Sequence, residues 1–294
     1  MLSLDEDEVS KWYELAGTFN WNGNGVRYRD YGDGSPMLLI HGFPTAGCDW
    51  SGIGATLSSR FRLIVPDLLD YGWSRNNSRK TWHIHDQADM IEALLRQSGI
   101  AECDVVAHDV GDTVAQELLA RHNEGSLGFS INSLVLMNGG IFPQHHRART
   151  VQKLLLSPIG PIVAALARKE RFMKSLAALF GPDTKPDEGA SDLLWKIAVG
   201  VNGKQSLARR IRYMQDRLDN EKRWVGALKN TSVRMMMING LTDPVSGEHV
   251  CEVIEAELPQ MQVARLDNIG HFPPLEAVDQ CTINILAFHE RSCL

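Results

Sequence analysis

The strongest constraint on this chain is an alternation of short apolar runs with stretches of helical spacing. Met37-Leu-Leu-Ile, Phe61-Arg-Leu-Ile-Val, Val105-Val-Ala, Leu134-Val-Leu-Met, Arg234-Met-Met-Met-Ile and Val263-Ala-Arg-Leu read as strands, most of them apolar on both faces. Val26-Arg-Tyr-Arg-Asp alternates with period two and reads as a half-exposed strand. Helical periodicity is expected over 83–98, 113–122, 247–257 and 277–290, the first ending at Gly99. Strands without a polar face need cover on both sides. The expectation is therefore an α/β chain with a mostly parallel central sheet and helices on both faces. The alternation stops between Pro143 and Trp224, where helical spacing continues without strand signals. An α-helical cap at 143–228 is thus expected between core segments 1–142 and 229–294. Such an insertion should cover the C-terminal edge of the sheet, where ligands bind in open α/β folds.

Charge and cysteine content exclude several classes. A formal charge of −6 is unsuited to gripping phosphate backbones. Cys48, Cys103, Cys251, Cys281 and Cys293 are odd in number and form no CxxC pair, so neither a zinc cluster nor a disulfide framework is signalled. Cys103 abuts a strand and is expected to be buried. The acidic start, Met1-Leu-Ser-Leu-Asp-Glu-Asp-Glu, lacks the apolar run of a secretory signal. The apolar uncharged stretch between Lys153 and Arg168 contains two prolines and is shorter than the roughly 20 residues a membrane span needs. A cytoplasmic protein without cofactor or metal is expected.

The chemistry concentrates at strand ends. Ala107-His-Asp-Val-Gly111 places Asp109 at a strand-to-helix junction between small residues, the spacing of a nucleophile elbow. Taken alone, Asp109 could equally be the N-cap of the next helix. Three further matches stand beside it. His41-Gly-Phe-Pro44 follows one strand, Asp243 follows a second and His271 follows a third. Their order is nucleophile, acid, histidine, with 134 residues from Asp109 to Asp243 and 28 from Asp243 to His271.

With His41-Gly-Phe-Pro, Pro66-Asp67, His108-Asp109-x-Gly111 and Gly270-His271, the chain resembles the α/β-hydrolase superfamily. The resemblance is to its epoxide hydrolase and haloalkane dehalogenase branch, whose nucleophile is aspartate. Through His108-Asp-Val-Gly-Asp-Thr-Val-Ala-Gln-Glu-Leu-Leu, Asn138-Gly-Gly-Ile-Phe-Pro and Arg223-Trp-Val-Gly-Ala-Leu it is also similar to the mesoderm-specific transcript proteins. The resemblance implies that Asp109 attacks an sp³ carbon and forms an alkyl ester. His271, oriented by Asp243, would then activate the water that hydrolyses the ester. It also implies backbone N–H donors from Phe43 and Val110 as an oxyanion hole.

The leaving group separates the possible reactions. Halide binding in this branch uses a Trp after the nucleophile, or an Arg in fluoroacetate dehalogenases, and Val110 supplies neither. An opening epoxide needs a proton donor, and Tyr213 lies where the resemblance expects a second cap tyrosine. It is the only tyrosine of the insertion, so the first cap tyrosine has no counterpart; His145 or His146 could replace it, or could be surface residues. Tyr213 could itself be a packing residue. Trp50, Trp195 and Trp224 could line an apolar pocket or simply pack. The expected pocket comprises His41, Pro44, Trp50, His108, Phe142, His145, His146, Trp195 and Phe272. The expected function is epoxide hydrolysis of a small apolar substrate; a haloalkane or haloacid dehalogenase and a non-catalytic ligand-binding relative are the alternatives. A homodimer is left open.

Overall fold

A computed structural model describes residues 1–290; Cys293 lies outside them. Eight strands form one sheet: β1 (Gly17–Trp21), β2 (Asn24–Tyr31), β3 (Ser35–Ile40), β4 (Phe61–Pro66), β5 (Glu102–His108), β6 (Ser130–Met137), β7 (Arg234–Gly240) and β8 (Gln262–Leu266). Their spatial order is β1-β2-β4-β3-β5-β6-β7-β8. The β1–β2 and β2–β4 pairs are antiparallel and the remaining pairs are parallel. Asn22 and Gly23, with φ of 50° and 78°, turn the first hairpin, as expected of an Asn-Gly turn with both central residues left-handed.

The helices are α1 (Glu6–Glu14), α2 (Ser51–Leu57), α3 (Ile84–Gln97) and α4 (Val110–Asn123) before the insertion. Within it lie α5 (Thr150–Leu156), α6 (Gly160–Ala165), α7 (Lys169–Ala177), α8 (Glu188–Val199), α9 (Ser206–Arg210), α10 (Tyr213–Asp219) and α11 (Glu221–Lys229). After it come α12 (Glu248–Glu257), α13 (Pro273–Glu276) and α14 (Val278–Glu290). No helix among the described residues is long and apolar enough to cross a membrane.

The two-residue strand period divides the core into two layers. Leu38, Ile40, Val105, Ala107, Leu134, Leu136, Met235 and Met237 face one cluster. Met37, Leu39, Val106, Val135, Met137, Met236 and Ile238 face the other. Helices cover both faces, so every one of these side chains is buried, and the strands can be apolar throughout.

The expected strands and helices are present, with shifted ends. The helix expected from Thr113 begins at Val110, immediately after Asp109. β1, α1 and α2 extend the expected set. Between β6 and β7 the chain from Pro143 to Lys229 contains no strand of the sheet. α11 lies along α4, joined by Trp224 Nε1 donating to Glu117 at 2.8 Å and by Arg223 Nε at 2.8 Å.

Candidate active site

Asp109 sits between the last residue of β5 and the first of α4, with φ 48° and ψ −104°. A non-glycine residue adopts this backbone only when its surroundings hold it there. Its side chain makes no capping hydrogen bond to α4. An N-cap has extended backbone angles and a capping side chain, so Asp109 is not the cap of its helix. The flanking small residues follow from close approach. A β-carbon on Gly111 would stand 2.5 Å from the Ile40 carbonyl oxygen, and one on Gly42 would stand 2.4 Å from His108 Nδ1. Glycine at both positions lets β3, the following turn and α4 meet around the aspartate.

The carboxylate faces three groups. Phe43 N–H donates to Oδ2 at 3.1 Å. His271 Nε2 lies 3.7 Å from the same oxygen. Arg217, from α10, donates through one nitrogen to the Asp109 carbonyl at 2.7 Å and to Oδ1 at 3.2 Å. Its Nε donates to Thr113 Oγ1 at 2.6 Å. Val110, whose N–H is the other expected oxyanion donor, is the first residue of α4 and follows Asp109 in the chain.

Asp243 and His271 complete the group. Asp243 accepts from His271 Nδ1 at 2.8 Å, Asn138 Nδ2 at 3.0 Å, Val245 N–H at 2.8 Å and Ser246 N–H at 3.1 Å. The His271 carbonyl accepts from His108 Nε2 at 2.7 Å, and its N–H donates to Leu179 O at 2.8 Å. Glu276 ties the loop down by accepting from Gly181 N–H at 2.7 Å, Phe272 N–H at 2.8 Å and Gly270 N–H at 3.0 Å.

These neighbours set the charges. Burial alone would raise the Asp109 carboxyl, but bonding and charge from His271, then the charges of Arg217 and His108, hold it well below the usual carboxylate range. Burial alone would lower His271, yet Asp243 and Asp109 raise it to about 10. The resting site therefore holds an imidazolium between two carboxylates. Burial, then the His271 charge, push His108 down to about 4; burial also pushes His41 down, to about 3. Asp112, buried beside Asp109, is pushed well above the carboxylate range by burial and then by the Asp109 charge.

A narrow pocket of about 40 Å³ opens onto Asp109, His271, Phe43 and Pro44; its other walls are Arg149, Val151, Gln152, Leu155, Phe172, Ser175, Leu176 and Leu179. That is well below the roughly 300 Å³ of a typical small-molecule site.

Of the expected pocket residues, Pro44 lines this cavity. His108 and Phe272 rings lie 5.3 and 5.0 Å from the His271 ring and support it from behind. His41 is spent on the turn, accepting from Leu68 N–H at 2.9 Å. Phe142 is buried outside the cavity wall. The structure does not bring Trp50, Trp195 or His145 to the site. Trp50 is in the core layer with Ile53 and Leu57, because its indole is fully enclosed there. Trp195 packs on Phe172 at 5.1 Å. His145 is exposed, since the polar turn that carries it faces solvent. His146 and Tyr213 do reach the interior near Arg217: the ring nitrogens of His146 and the Tyr213 hydroxyl are buried and unpartnered, and the Arg217 guanidinium lies 4.6 Å over the Tyr213 ring.

Arg217, Asn138 and Glu276 escaped the sequence reading. Arg217 had a usable signal: it follows Tyr213 by four residues, so both share one helical face. Asn138 and Glu276 act across more than 90 residues of sequence on Gly240 and Gly181, and no local pattern marks them.

An acidic elbow residue, an N–H donor on its oxygen and an Asp–His pair behind it stand at the C-terminal ends of parallel strands. The α/β hydrolase fold family matches residues 35–278. The chain belongs to the α/β-hydrolase family. This α/β hydrolase is 36% identical over 280 residues to the mesoderm-specific transcript protein of Mus musculus, covering 91% of this chain and 84% of that protein. It is 23% identical over 266 residues to haloalkane dehalogenase 2 of Mycobacterium bovis, covering 89% and 90%. An α/β-hydrolase-fold protein from Burkholderia ambifaria superposes with a TM-score of 0.76 at 20% identity, covering 93% of this chain and 97% of that one; this likeness concerns the fold alone.

Proposed function

We propose that this α/β hydrolase opens epoxides to vicinal diols through a covalent Asp109 ester, under a cap formed by the insertion. The observation that carries the reading is the aspartate at the elbow, with Oδ2 on Phe43 N–H and His271 beyond it. A serine attacking an alkyl carbon would leave a stable ether. A carboxylate leaves an ester, whose carbonyl water can attack. In the first step Asp109 bonds to a ring carbon, the carbon–oxygen bond breaks, and the departing oxygen takes the Tyr213 proton. The proton held by the resting His271 restores Tyr213. Esterification removes the Asp109 charge that helps hold that proton, so His271 becomes a neutral base. It then takes a proton from water, and hydroxide adds to the ester carbonyl. The oxyanion forms on the oxygen facing Phe43 N–H and Val110 N–H. Collapse releases the diol and restores the Asp109 carboxylate and the His271 imidazolium, so protons balance over the cycle.

Similarity to a haloalkane dehalogenase supports a second reading, in which the same ester forms with loss of halide. The side chains of Val110 and Phe43 offer no halide donor. Halide release from bromo- and chloroalkanes separates the two readings. Ligand binding without turnover across an epoxide panel would favour a non-catalytic role.

The test is one turnover in ¹⁸O-water, followed by digestion and mass analysis of the elbow peptide. Label in the Asp109 carboxylate is expected; diol formation without label there rejects the ester route. His271→Gln should accumulate the Asp109 adduct, its hydrolysis slowed on the order of a hundredfold or more. Normal turnover of that variant would remove His271 from the mechanism.

A further inference from the structure

The guanidinium of Arg217 is 2% exposed and only partly used. One terminal nitrogen serves Asp109, Nε serves Thr113, and the other terminal nitrogen has no partner. His146 is in the same condition, with both ring nitrogens buried and unbonded. The two meet over one residue. A β-carbon on Gly140 would stand 2.7 Å from the free Arg217 nitrogen and 2.7 Å from His146 Nδ1. Glycine thus lets two idle polar groups approach the backbone more closely than any side chain there would allow. Leaving such groups unpartnered inside a protein is costly, more so when they are charged, so their arrangement points to a ligand they receive.

We infer that Arg217, with His146 beside it, is the binding site for the oxygen that departs when Asp109 attacks, and so a catalytic residue of this hydrolase. The inference rests on the Asp109 ester reading for its chemistry and on unpartnered donors for its geometry. During ring opening one negative charge leaves the Asp109 carboxylate, which becomes a neutral ester, and appears on the departing oxygen. Arg217 touches the carboxylate through one terminal nitrogen and offers the other. The same cation therefore pairs the charge at its origin and at its destination, and little reorganisation is needed in between. Burial and then the Arg217 charge push His146 down to about 4, so it is neutral at physiological pH, with one N–H to donate and one lone pair to accept. Tyr213, its ring beneath the guanidinium, supplies the proton; Arg217 stabilises the phenolate this leaves behind. The arrangement fits the place of the missing first cap tyrosine. The substrate class is one whose leaving atom is an oxygen carrying developing negative charge.

Two measurements decide this. Asp109→Asn imitates the neutral, alkylated state and leaves Arg217 without its counter-charge. Titrated with sodium acetate and followed by ¹H–¹⁵N NMR, this variant should bind saturably. The wild type should bind at least tenfold more weakly. Asp109→Asn/Arg217→Gln and Asp109→Asn/Gly140→Ala should both lose the site, the second because the added methyl group displaces the Arg217 and His146 nitrogens while both residues are retained. No saturable binding to Asp109→Asn, or undiminished binding after removal of Arg217, overturns the inference. The second measurement uses styrene oxide under single-turnover conditions. Arg217→Lys should form the Asp109 adduct on the order of a hundredfold more slowly than wild type, while hydrolysis of adduct already formed keeps its rate. Equal rates of adduct formation overturn the inference. If wild type forms no adduct but Asp109→Asn binds acetate through Arg217, the epoxide reading falls and the oxyanion site stands with another leaving group.

Discussion

At the scale of single residues, the site is a set of buried charges that depend on one another. His271 carries its proton because Asp243 and Asp109 face it from two sides. Its folded value of about 10 lies above the ordinary 6.5. The imidazolium therefore adds stability that is complete below about pH 6.5 and is lost as pH rises toward 10. Asp109 and Asp243 are held below the carboxylate range, so their contribution is present at neutral pH and is lost on acidification. His271→Gln should accordingly melt below wild type at pH 6, and the gap should shrink steadily between pH 7 and 10. A gap that stays constant over that range, by calorimetry, would mean the imidazolium does not stabilise the fold. Asp109 itself was legible as an elbow from its neighbours Ala107 and Gly111. Whether it was a nucleophile or a helix cap was not, because both readings share the same residues. The backbone angles and the absent capping bond remove the side-chain cap reading.

At the scale of elements, each member of the site stands on a strand end, but its aim is set by loops far away in sequence. The His271 loop shows this best. Glu276, at the end of α13, gathers N–H groups from Gly270 and Phe272 in its own loop and from Gly181 in the insertion. Glu276→Ala would orphan all three at once. The expected loss is about 2 kcal/mol of stability, with a fall in kcat larger than the change in KM because the histidine loses its aim. Glu276→Gln, which keeps one acceptor oxygen, should recover part of both. Unchanged kcat in the alanine variant would show that the loop holds its place without this carboxylate. The strand runs were readable because parallel strands covered on both faces must be apolar. Helix boundaries and the α2 segment were less so, since packing against the sheet outweighs local propensity.

At the scale of the whole molecule, one buried carboxylate is a main fastening between α11 of the helical insertion and the core helix α4. Glu117 on α4 accepts from Trp224 Nε1 and Arg223 Nε of α11, each at 2.8 Å, and from Arg121 Nε at 2.8 Å. Burial would raise its carboxyl, but bonding to His85, Arg223, Arg121 and Trp224 holds it low. Glu117→Ala should cost about 2 kcal/mol, because it removes the acceptor of the buried Trp224 Nε1 and one partner each of Arg223 and Arg121. It should also loosen α10 and with it Arg217, so hydrogen exchange should rise across 213–229. Protection equal to wild type in that stretch would mean the insertion is held by its apolar contacts alone. By itself the sequence determined the class of fold, the insertion's place between two strands, and the order of Asp109, Asp243 and His271, because periodicity and strand-end motifs are local properties of the chain. Only the tertiary structure decided which insertion side chains meet the nucleophile position. Tyr213, Arg217 and His146 reach it because α10 and the turn after β6 dock over Gly140, whereas Trp50 and Trp195 are consumed by packing. Those contacts join residues more than a hundred positions apart in the case of Arg217 and Asp109, and no local pattern encodes such a meeting.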